Sequence, residues 1–388
     1  MLSRIHQFDP KRIYNSYKDE IDKAVQDVLS QGSYIGGEFV KSFEEELASY
    51  LSEDNEYTVI SCANGTDALE LAFRAANLKP GDEILMPSHN YVSAVEMAVN
   101  MGLVPIWVDT APDAFTIEYR ASELVRYLSS KTKALVAVNM YGMSAQWQEL
   151  RNFCTQYGLI LIEDNAQGLG GQLCVDNQLR RLGTFGDIST MSFFPTKPLG
   201  CMGDGGAICC RKDSPYADRL RRLHIHGQEI KYQFVEPGRN SRLDALQAAI
   251  LRVKLRHLSE TLGEQARVAK SYSDALAIVD SRCLTLPTNG IDLSKSYPSW
   301  HLYTIRVKRG LRDKLRAFLS DQKIDAGVYY PVPMHQVECY SSISSSHSCV
   351  CKRSDELSEE ILSLPCYAFM EEEEVARVVA AVIEFFYN

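Results

Sequence analysis

The stretch TVISCANGTDALELAFRAANLKPGDEILMPS (58–88) contains the pattern that decides the fold. A short apolar run (58–63) is followed by an amphipathic segment from Thr66 to Ala76 and by a second apolar run (83–88). Short apolar runs are typical of buried strands, and apolar residues spaced three or four apart are typical of helices. This stretch therefore predicts a strand, a helix and a second strand.

The same alternation continues towards the C-terminus. Further strands are predicted at VPIWVD (104–109), KALVAVNM (133–140), LILIED (159–164) and STMSFF (189–194). Amphipathic segments between them predict helices at Val92–Asn100, Ala121–Ser129 and Gln146–Tyr157. Alternating strands and helices favour an α/β fold, and strands that are apolar throughout favour a sheet covered on both faces. We therefore predict a large domain with a mostly parallel sheet sandwiched by helices.

The segments that flank this region complete the predicted organisation. Two amphipathic segments precede it, and weaker strand and helix signals follow it: a helix from Asp244 to Leu258, a strand at HLYTIRV (301–307), a helix from Leu311 to Leu319, a strand before Tyr329 and a final helix from Val375 to Phe386. These signals predict a large domain over residues 1–250, including the N-terminal helical segment, and a smaller C-terminal α+β domain over residues 251–388.

Composition narrows the class of protein. The 388 residues carry 41 Lys and Arg against 50 Asp and Glu, a net charge of −9, which argues against a nucleic-acid binder. No apolar run approaches the roughly 20 residues of a membrane span, and the N-terminus lacks the apolar core of a secretory signal. We expect a cytoplasmic protein with no membrane partner.

The 11 cysteines do not suggest a disulfide framework or a metal site. Their number is odd and their spacing scattered, which favours reduced thiols. His347, Cys349 and Cys351 lie close together in a Ser-rich stretch, but no fourth ligand is evident there. We therefore expect no bound metal.

Two residues stand out as candidates for chemistry. Asp164 ends the strand LILIED, at the sheet edge where open α/β sheets bind ligands. It could pair with a cationic ring nitrogen, a metal or a ribose hydroxyl, or simply cap a helix. Lys197 lies in SFFPTKPLGCMGDGG (192–206), between Pro195 and Pro198. A fixed, partly desolvated lysine suits a Schiff-base nucleophile, although most lysines only face solvent.

Three further features are individually weak. Gly65 and Thr66 open a predicted helix after a strand, an arrangement that binds anions but also occurs in ordinary capped helices. Ser192 could bind a phosphate oxygen, and Tyr91 could stack on a planar ligand or pack in the core. Together with Asp164 and Lys197 they form the set that pyridoxal 5′-phosphate (PLP) requires: an anion site, a stacking ring, a carboxylate and a constrained amine.

Several motifs in a fixed order resemble the DegT/DnrJ/EryC1/StrS family of PLP-dependent nucleotide-sugar aminotransferases, which has the fold-type-I aminotransferase architecture. The motifs are YIGGEFVKSFEEELASYL (34–51), SCANGTDALELAFRAANLKPGDEIL (61–85), IEDNAQGLGG (162–171), SFFPTKPLGCMGDGGAI (192–208), GRNSRLDALQAAILRVKL (238–255) and YYPVPMH (329–335). Lys-Pro-Leu-Gly-Cys (197–201) is most similar to the subgroup that aminates C3 of UDP-linked 3-keto-N-acetylglucosaminuronic acid.

The resemblance implies a role for each matching residue. In the cofactor site it implies the Schiff-base lysine at Lys197, the partner of the pyridine nitrogen at Asp164, a neighbour of the ring hydroxyl at Gln167, phosphate contacts at Ser192, Gly65 and Thr66, the stacking ring at Tyr91, and a contact to the neighbouring subunit's phosphate at Asn240. In the sugar-nucleotide pocket it implies Arg242, Tyr329, His335 and Tyr34. It also implies a homodimer, with glutamate as amino donor and a nucleotide-sugar acceptor.

Departures from the family pattern concern the sugar. Asn139 stands where the family commonly has His, Tyr329 where the subgroup often has His, and the stretch 172–183 lacks the usual Gly-Lys turn. The alternatives are a dTDP-keto-6-deoxyhexose aminotransferase, a PLP-dependent sugar dehydratase and a catalytically silent sugar-nucleotide binder or regulator. Dehydratases usually replace the lysine with His, and silent homologues would be expected to lose Lys197 or Asp164.

Overall fold

The computed structural model describes residues 3–112, 114–289, 291–343 and 350–387. Its helices are α1 (Pro10–Ser16), α2 (Lys18–Gln31), α3 (Gly37–Leu51), α4 (Gly65–Ala75), α5 (Ser93–Asn100), α6 (Ala121–Leu124), α7 (Trp147–Tyr157), α8 (Ala217–Leu223), α9 (Ala245–Arg256), α10 (Leu258–Leu276), α11 (Arg312–Asp321), α12 (Glu338–Ser341), α13 (Lys352–Glu360) and α14 (Glu372–Tyr387).

The strands range from two to seven residues. They are β1 (Tyr57–Cys62), β2 (Glu83–Pro87), β3 (Val104–Val108), β4 (Thr132–Val138), β5 (Ile160–Asp164), β6 (Gln172–Val175), β7 (Gln178–Arg181), β8 (Ile188–Ser192), β9 (Gly206–Arg211), β10 (Gln228–Ile230), β11 (Gln233–Phe234), β12 (Leu284–Thr285), β13 (Ser296–Tyr297), β14 (Tyr303–Val307) and β15 (Ile361–Leu364).

A seven-stranded sheet forms the centre of the molecule, in the order β1-β9-β8-β5-β4-β2-β3. The pairs from β8 to β3 are parallel, and β9 runs antiparallel to both of its neighbours. The strands are buried almost throughout, because helices cover both faces. The predicted α/β fold with a mostly parallel, helix-covered sheet is confirmed.

The sheet contains one strand that the sequence analysis did not predict. All six predicted strands are present. The additional strand, β9, begins at the end of the glycine-rich stretch 199–207 and lies between β1 and β8. Gly206 has no room for a side chain, because a Cβ would lie 2.5 Å from the backbone of Asn64. Gly206 weakened the strand signal in the sequence, and the same residue allows β9 to approach the start of α4.

A smaller sheet, β12-β14-β15, lies in the C-terminal part of the chain. The strand predicted before Tyr329 is wrong, since that segment makes only isolated bridges, Ile5 to Ile324 and Gly327 to Ser363. The helix predicted from Asp244 to Leu258 ends at Arg256 and is followed at once by α10. The boundary between the two predicted domains, at residue 250, stays a prediction.

The 172–183 stretch forms the hairpin β6–β7 without the family's Gly-Lys turn. Asp176 and Asn177 make the turn with φ of 51° and 60°, a conformation that Asp and Asn tolerate better than other non-glycine residues. Within the described ranges, no helix has both the length and the apolarity needed to cross a bilayer. His347 and Cys349 lie outside these ranges.

Candidate active site

Asp164 is the last residue of β5 and points into a pocket at the carboxyl edge of the sheet. It is only 7% exposed, and its Oδ1 accepts a hydrogen bond from the Ala166 N–H at 3.0 Å. Burial raises the pKa of Asp164, whereas the Ala166 N–H and the Lys197 ammonium lower it. A cation beside this carboxylate would offset the cost of burying its charge.

Lys197 follows β8 in a turn closed by a bond of 2.8 Å from its own N–H to the Phe194 carbonyl. Its side chain is half-buried. Desolvation lowers the pKa of Lys197 to about 8, while Asp164 acts in the opposite direction. The two side chains are therefore close enough for their charges to interact. Among the described residues, no carboxylate forms an ion pair with Lys197, so its amine is left for another partner.

A cradle for an anion lies where α4 begins and β8 ends. A Cβ at Gly65 would lie 2.7 Å from the Cβ of Ser192, so glycine is what allows this close approach. The Asn64 side chain caps α4 by accepting the Asp67 N–H at 2.8 Å, and Thr66 bonds to the Ser93 hydroxyl at 2.9 Å. The first N–H groups of a helix have no partner within it, and they favour a phosphate.

Tyr91 lies at the mouth of the same pocket and is 53% exposed. Its ring faces that of Tyr330, with the centroids 5.4 Å apart. Burial raises the pKa of the Tyr330 hydroxyl, and the charge of Asp164 raises it further, while the Gln167 side chain lies within hydrogen-bonding reach. Tyr91, Gln167 and Asp164 are therefore grouped around Tyr330, a residue that the sequence analysis did not select.

Three residues predicted from the resemblance lie on the protein surface. Tyr34, Asn240 and Arg242 are exposed, and the Tyr34 carbonyl accepts the Ala245 N–H at 2.9 Å. This bond brings the segment around Tyr34 next to the start of α9, just after Asn240 and Arg242. None of the three contacts Asp164 or Lys197 within the described part of a single chain.

The two residues from the YYPVPMH motif lie apart. His335 bonds to the Ser88 hydroxyl, just after β2, through Nδ1 at 2.6 Å, and to Asp355 through Nε2 at 3.1 Å. The Tyr329 ring packs closely over Gly327, with its centroid 6.5 Å from that of Phe8 and 6.0 Å from that of Tyr330. The sugar-binding roles predicted for both residues stay predictions.

Two buried histidines near the pocket were also missed. His301 lies against the backbone of Thr196; burial lowers its pKa well below the usual value, and the Lys197 charge lowers it further. His89 directly follows Ser88 and is 1% exposed. Neither Nδ1 atom has a hydrogen-bond partner in the part of the chain that the structure describes. An isolated His in a sequence carries no spacing signal that would have revealed either.

The pocket fits PLP by its own geometry. A side chain at residue 65 would fill the cradle, the Lys197 amine is free of ion pairs in the described ranges, and only one oxygen of Asp164 is hydrogen-bonded there. An anion site, an available amine and a buried carboxylate are what a phosphate, an aldehyde and a protonated ring nitrogen need. Fold and pocket together define a PLP-dependent aminotransferase.

Comparison with known proteins identifies the family. The sequence model of the DegT/DnrJ/EryC1/StrS aminotransferase family matches residues 15–383. The chain is 35% identical to dTDP-3-amino-3,4,6-trideoxy-alpha-D-glucose transaminase of Streptomyces venezuelae, over 98% of this chain and 96% of that protein. It is 32% identical to UDP-2-acetamido-2-deoxy-3-oxo-D-glucuronate aminotransferase of Pseudomonas aeruginosa, over 97% and 99%.

The fold is equally similar to a solved structure. The crystal structure of S. venezuelae DesV in complex with a ketimine intermediate superposes with a TM-score of 0.91 at 34% identity, covering all of both chains. The chain belongs to the DegT/DnrJ/EryC1/StrS aminotransferase family. The predicted family, fold class, enzyme class and cofactor are confirmed.

Proposed function

We propose that this enzyme transfers an amino group from glutamate to the C3 keto group of a nucleotide-linked sugar. One observation carries the proposal: the charges of Lys197 and Asp164 interact, at the same sheet edge as the Gly65–Ser192 cradle. The sugar and its position are supported by two similar proteins, whose names give a 3-amino and a 3-oxo sugar.

The cofactor side of the pocket has a division of labour. When bound, PLP supplies an aldehyde and an electron-accepting ring. Asp164 would keep a proton on the ring nitrogen, Gln167 would donate to the ring hydroxyl and Tyr91 would stack on the ring. Gly65, Thr66 and Ser192 would bind the phosphate. Lys197 would hold the cofactor, and its free amine would take and return the proton at the reacting substrate carbon.

The substrate side contains the cation that a sugar nucleotide needs. Arg242 is exposed and has no ion pair in the described part of the chain, so its guanidinium is available to a diphosphate. Tyr34, Tyr329 and His335 would line the sugar pocket with it. Asn240 and Arg242 are both exposed. We infer that they would serve the site of a neighbouring subunit, as the family resemblance implies for Asn240.

This division of residues between two subunits requires a homodimer. The hairpin β10–β11 precedes Asn240 and carries four exposed apolar side chains: Ile230, Tyr232, Phe234 and Val235 are 53–76% exposed. An apolar cluster of this kind is uncommon on a monomer and is typical of an interface. Pairing of two chains through this hairpin would bury the cluster beside the Asn240 segment.

The nucleotide and sugar distinguish two versions of the proposal. The Lys-Pro-Leu-Gly-Cys motif favours a UDP-3-keto-N-acetylhexosaminuronic acid, in the biosynthesis of a surface polysaccharide or glycoconjugate. The higher identity to the S. venezuelae enzyme, 35% against 32%, favours a dTDP-keto-6-deoxyhexose. Both acceptors present a keto group to the same amine.

The test is a substrate panel. The PLP-loaded enzyme is given glutamate and then UDP- and dTDP-linked 3-keto and 4-keto sugars, and aminated products are identified by mass. We expect a product from a 3-keto sugar and none with Lys197→Ala. Amination of 4-keto sugars alone would contradict the C3 assignment. A colourless protein that takes up no PLP would favour the silent homologue.

A further inference from the structure

Tyr141 lies between the two halves of the proposed site. It is fully buried just after β4, in the turn Met140–Gly142, with a φ of 59° that is uncommon for a bulky residue. Its ring packs edge-on against Phe115, with the centroids 5.0 Å apart. None of the motifs in the sequence singled out this residue.

Tyr141 uses its backbone and its side chain for different parts of the site. Its N–H donates to Gln167 Oε1 at 2.8 Å. Its hydroxyl donates to the carbonyl of Tyr329, in the segment whose next residue, Tyr330, faces Asp164. One buried side chain thus joins Gln167, at the cofactor, to the Tyr329–Tyr330 segment at the mouth of the pocket.

His89 fixes the direction of the Tyr141 hydroxyl. His89 Nε2 lies 2.7 Å from that oxygen. Because the carbonyl of Tyr329 can only accept, the hydroxyl gives its proton to Tyr329 and must accept from His89. His89 Nε2 therefore carries the ring proton. Burial lowers the pKa of His89 to about 4, so the ring stays neutral and keeps this tautomer at neutral pH.

The same bonds orient Gln167. Since Oε1 accepts from the Tyr141 N–H, the amide nitrogen of Gln167 is turned the other way. That nitrogen is a donor, and a donor is what an oxyanion on the cofactor ring needs. The backbone carbonyl of Gln167 also accepts a hydrogen bond from the Ser299 hydroxyl at 3.0 Å, which fixes the main chain of this residue.

We propose that Tyr141 is a positioning residue. Oriented by His89, it fixes the position of the Tyr329–Tyr330 segment relative to Gln167. The keto group of the sugar would then be aligned with the reactive carbon of the cofactor. This inference rests on the proposed function, because it assigns Tyr329–Tyr330 to the acceptor sugar. The hydroxyl bonds to that segment and to His89, whereas the backbone N–H bonds to Gln167.

The variant Tyr141→Phe removes the hydroxyl and keeps the N–H bond to Gln167. A matched control is Tyr272→Phe, because Tyr272 is equally buried and its hydroxyl donates to the Pro365 carbonyl at 2.8 Å, within the C-terminal part of the chain. Both variants lose one buried hydrogen bond to a carbonyl, and Tyr141→Phe also loses the bond from His89 Nε2. Tyr141→Phe should therefore be the less stable of the two, so both variants are assayed well below their melting temperatures.

The two half-reactions separate the roles. With Tyr141→Phe we expect the KM for the keto sugar to rise about three- to tenfold, the effect of one hydrogen bond, while the rate of the glutamate half-reaction changes less than about twofold. Tyr272→Phe should change neither. Equal losses in both half-reactions, or identical behaviour of the two variants, would overturn the proposal.

A spectroscopic measurement tests the hydrogen bond between His89 and Tyr141 independently of turnover. In ¹⁵N spectra of histidine-labelled apoenzyme, with His89→Gln for assignment, we expect a single Nε2–H tautomer that becomes mixed in Tyr141→Phe but not in Tyr272→Phe. If the wild type aminates no keto sugar, the proposed function is wrong. If the His89 signal is unchanged in Tyr141→Phe, the positioning role is wrong, whatever the outcome for the proposed function.

Discussion

At the scale of single residues, burial favours the Schiff-base role proposed for Lys197. A lysine attacks an aldehyde only as the free amine, and the pKa of an exposed lysine, about 10.4, leaves little of that form at neutral pH. The pocket lowers the pKa of Lys197 to about 8, with desolvation as the larger effect and Asp164 opposing it. The free amine is therefore available near physiological pH.

This shift predicts the pH dependence of cofactor uptake. The rate at which PLP added to the apoenzyme develops its protein-linked visible absorbance should rise as pH increases towards about 8 and level off above it. Lys197→Ala should show no such signal at any pH. A rate that keeps rising to pH 10 would mean that the reacting amine is exposed.

The phosphate cradle is tested at Gly65. In Gly65→Ala the new Cβ would lie 2.7 Å from the Cβ of Ser192 and 3.3 Å from its Cα, so the space for a phosphate closes. We expect the affinity for PLP to fall about tenfold or more, which corresponds to about 1.4 kcal/mol. Equilibrium dialysis measures it.

The control is Gly263→Ala, an exposed position in α10 with no atom within 4 Å of the added Cβ. It should leave PLP affinity unchanged and stabilise the helix by up to about 1 kcal/mol. Unchanged affinity in Gly65→Ala would show that the phosphate binds elsewhere.

At the scale of elements, α9 holds the loop that carries Lys197. The Lys254 ammonium donates to the Gly200 carbonyl. Two turns earlier in the helix, Gln247 accepts the Met202 N–H at 2.9 Å and donates to the Met202 carbonyl at 3.1 Å. Residues seven apart lie on one helix face, so one face of α9 braces the loop that follows Lys197.

We expect Lys254→Met to loosen this loop. It leaves the Gly200 carbonyl without its donor, and amide hydrogen exchange at residues 199–203 should become about tenfold faster, corresponding to about 1.4 kcal/mol of lost protection. Exchange in β4 and β5 is the internal reference and should not change. Equal exchange in the variant and the wild type would mean that Gln247 alone braces the loop.

The elements and residues that the sequence revealed share a physical basis. Strands apolar throughout and buried on both faces were predicted, because their pattern reflects local burial. The strand β9 was not predicted, because it begins with Gly206, a glycine that allows close contact with the backbone of Asn64. Asp164 and Lys197 were selected from their chain context, and their roles stay predictions. Tyr141, His89 and Tyr330 depend on packing between distant segments, which no local pattern records.

At the scale of the whole molecule, the proposal predicts a dimer. Sedimentation equilibrium should give twice the chain mass of 43.6 kDa, and Phe234→Glu, in the exposed hairpin, should shift the protein towards monomer and weaken PLP binding. Ile278 is equally exposed, at 60%, but lies just after α10, away from the hairpin. Ile278→Glu should remain dimeric; a monomeric wild type would contradict the shared site.

The central claim is that one lysine, Lys197, holds the cofactor opposite Asp164. Lys254 provides a stringent comparison within the same chain, because it is also buried and its pKa is also lowered to about 8, but no carboxylate such as Asp164 acts on it. Borohydride makes the link between PLP and its lysine permanent, and peptide mass mapping then locates it. We predict the cofactor on Lys197 alone; a label on Lys254, or on neither lysine, would contradict the account.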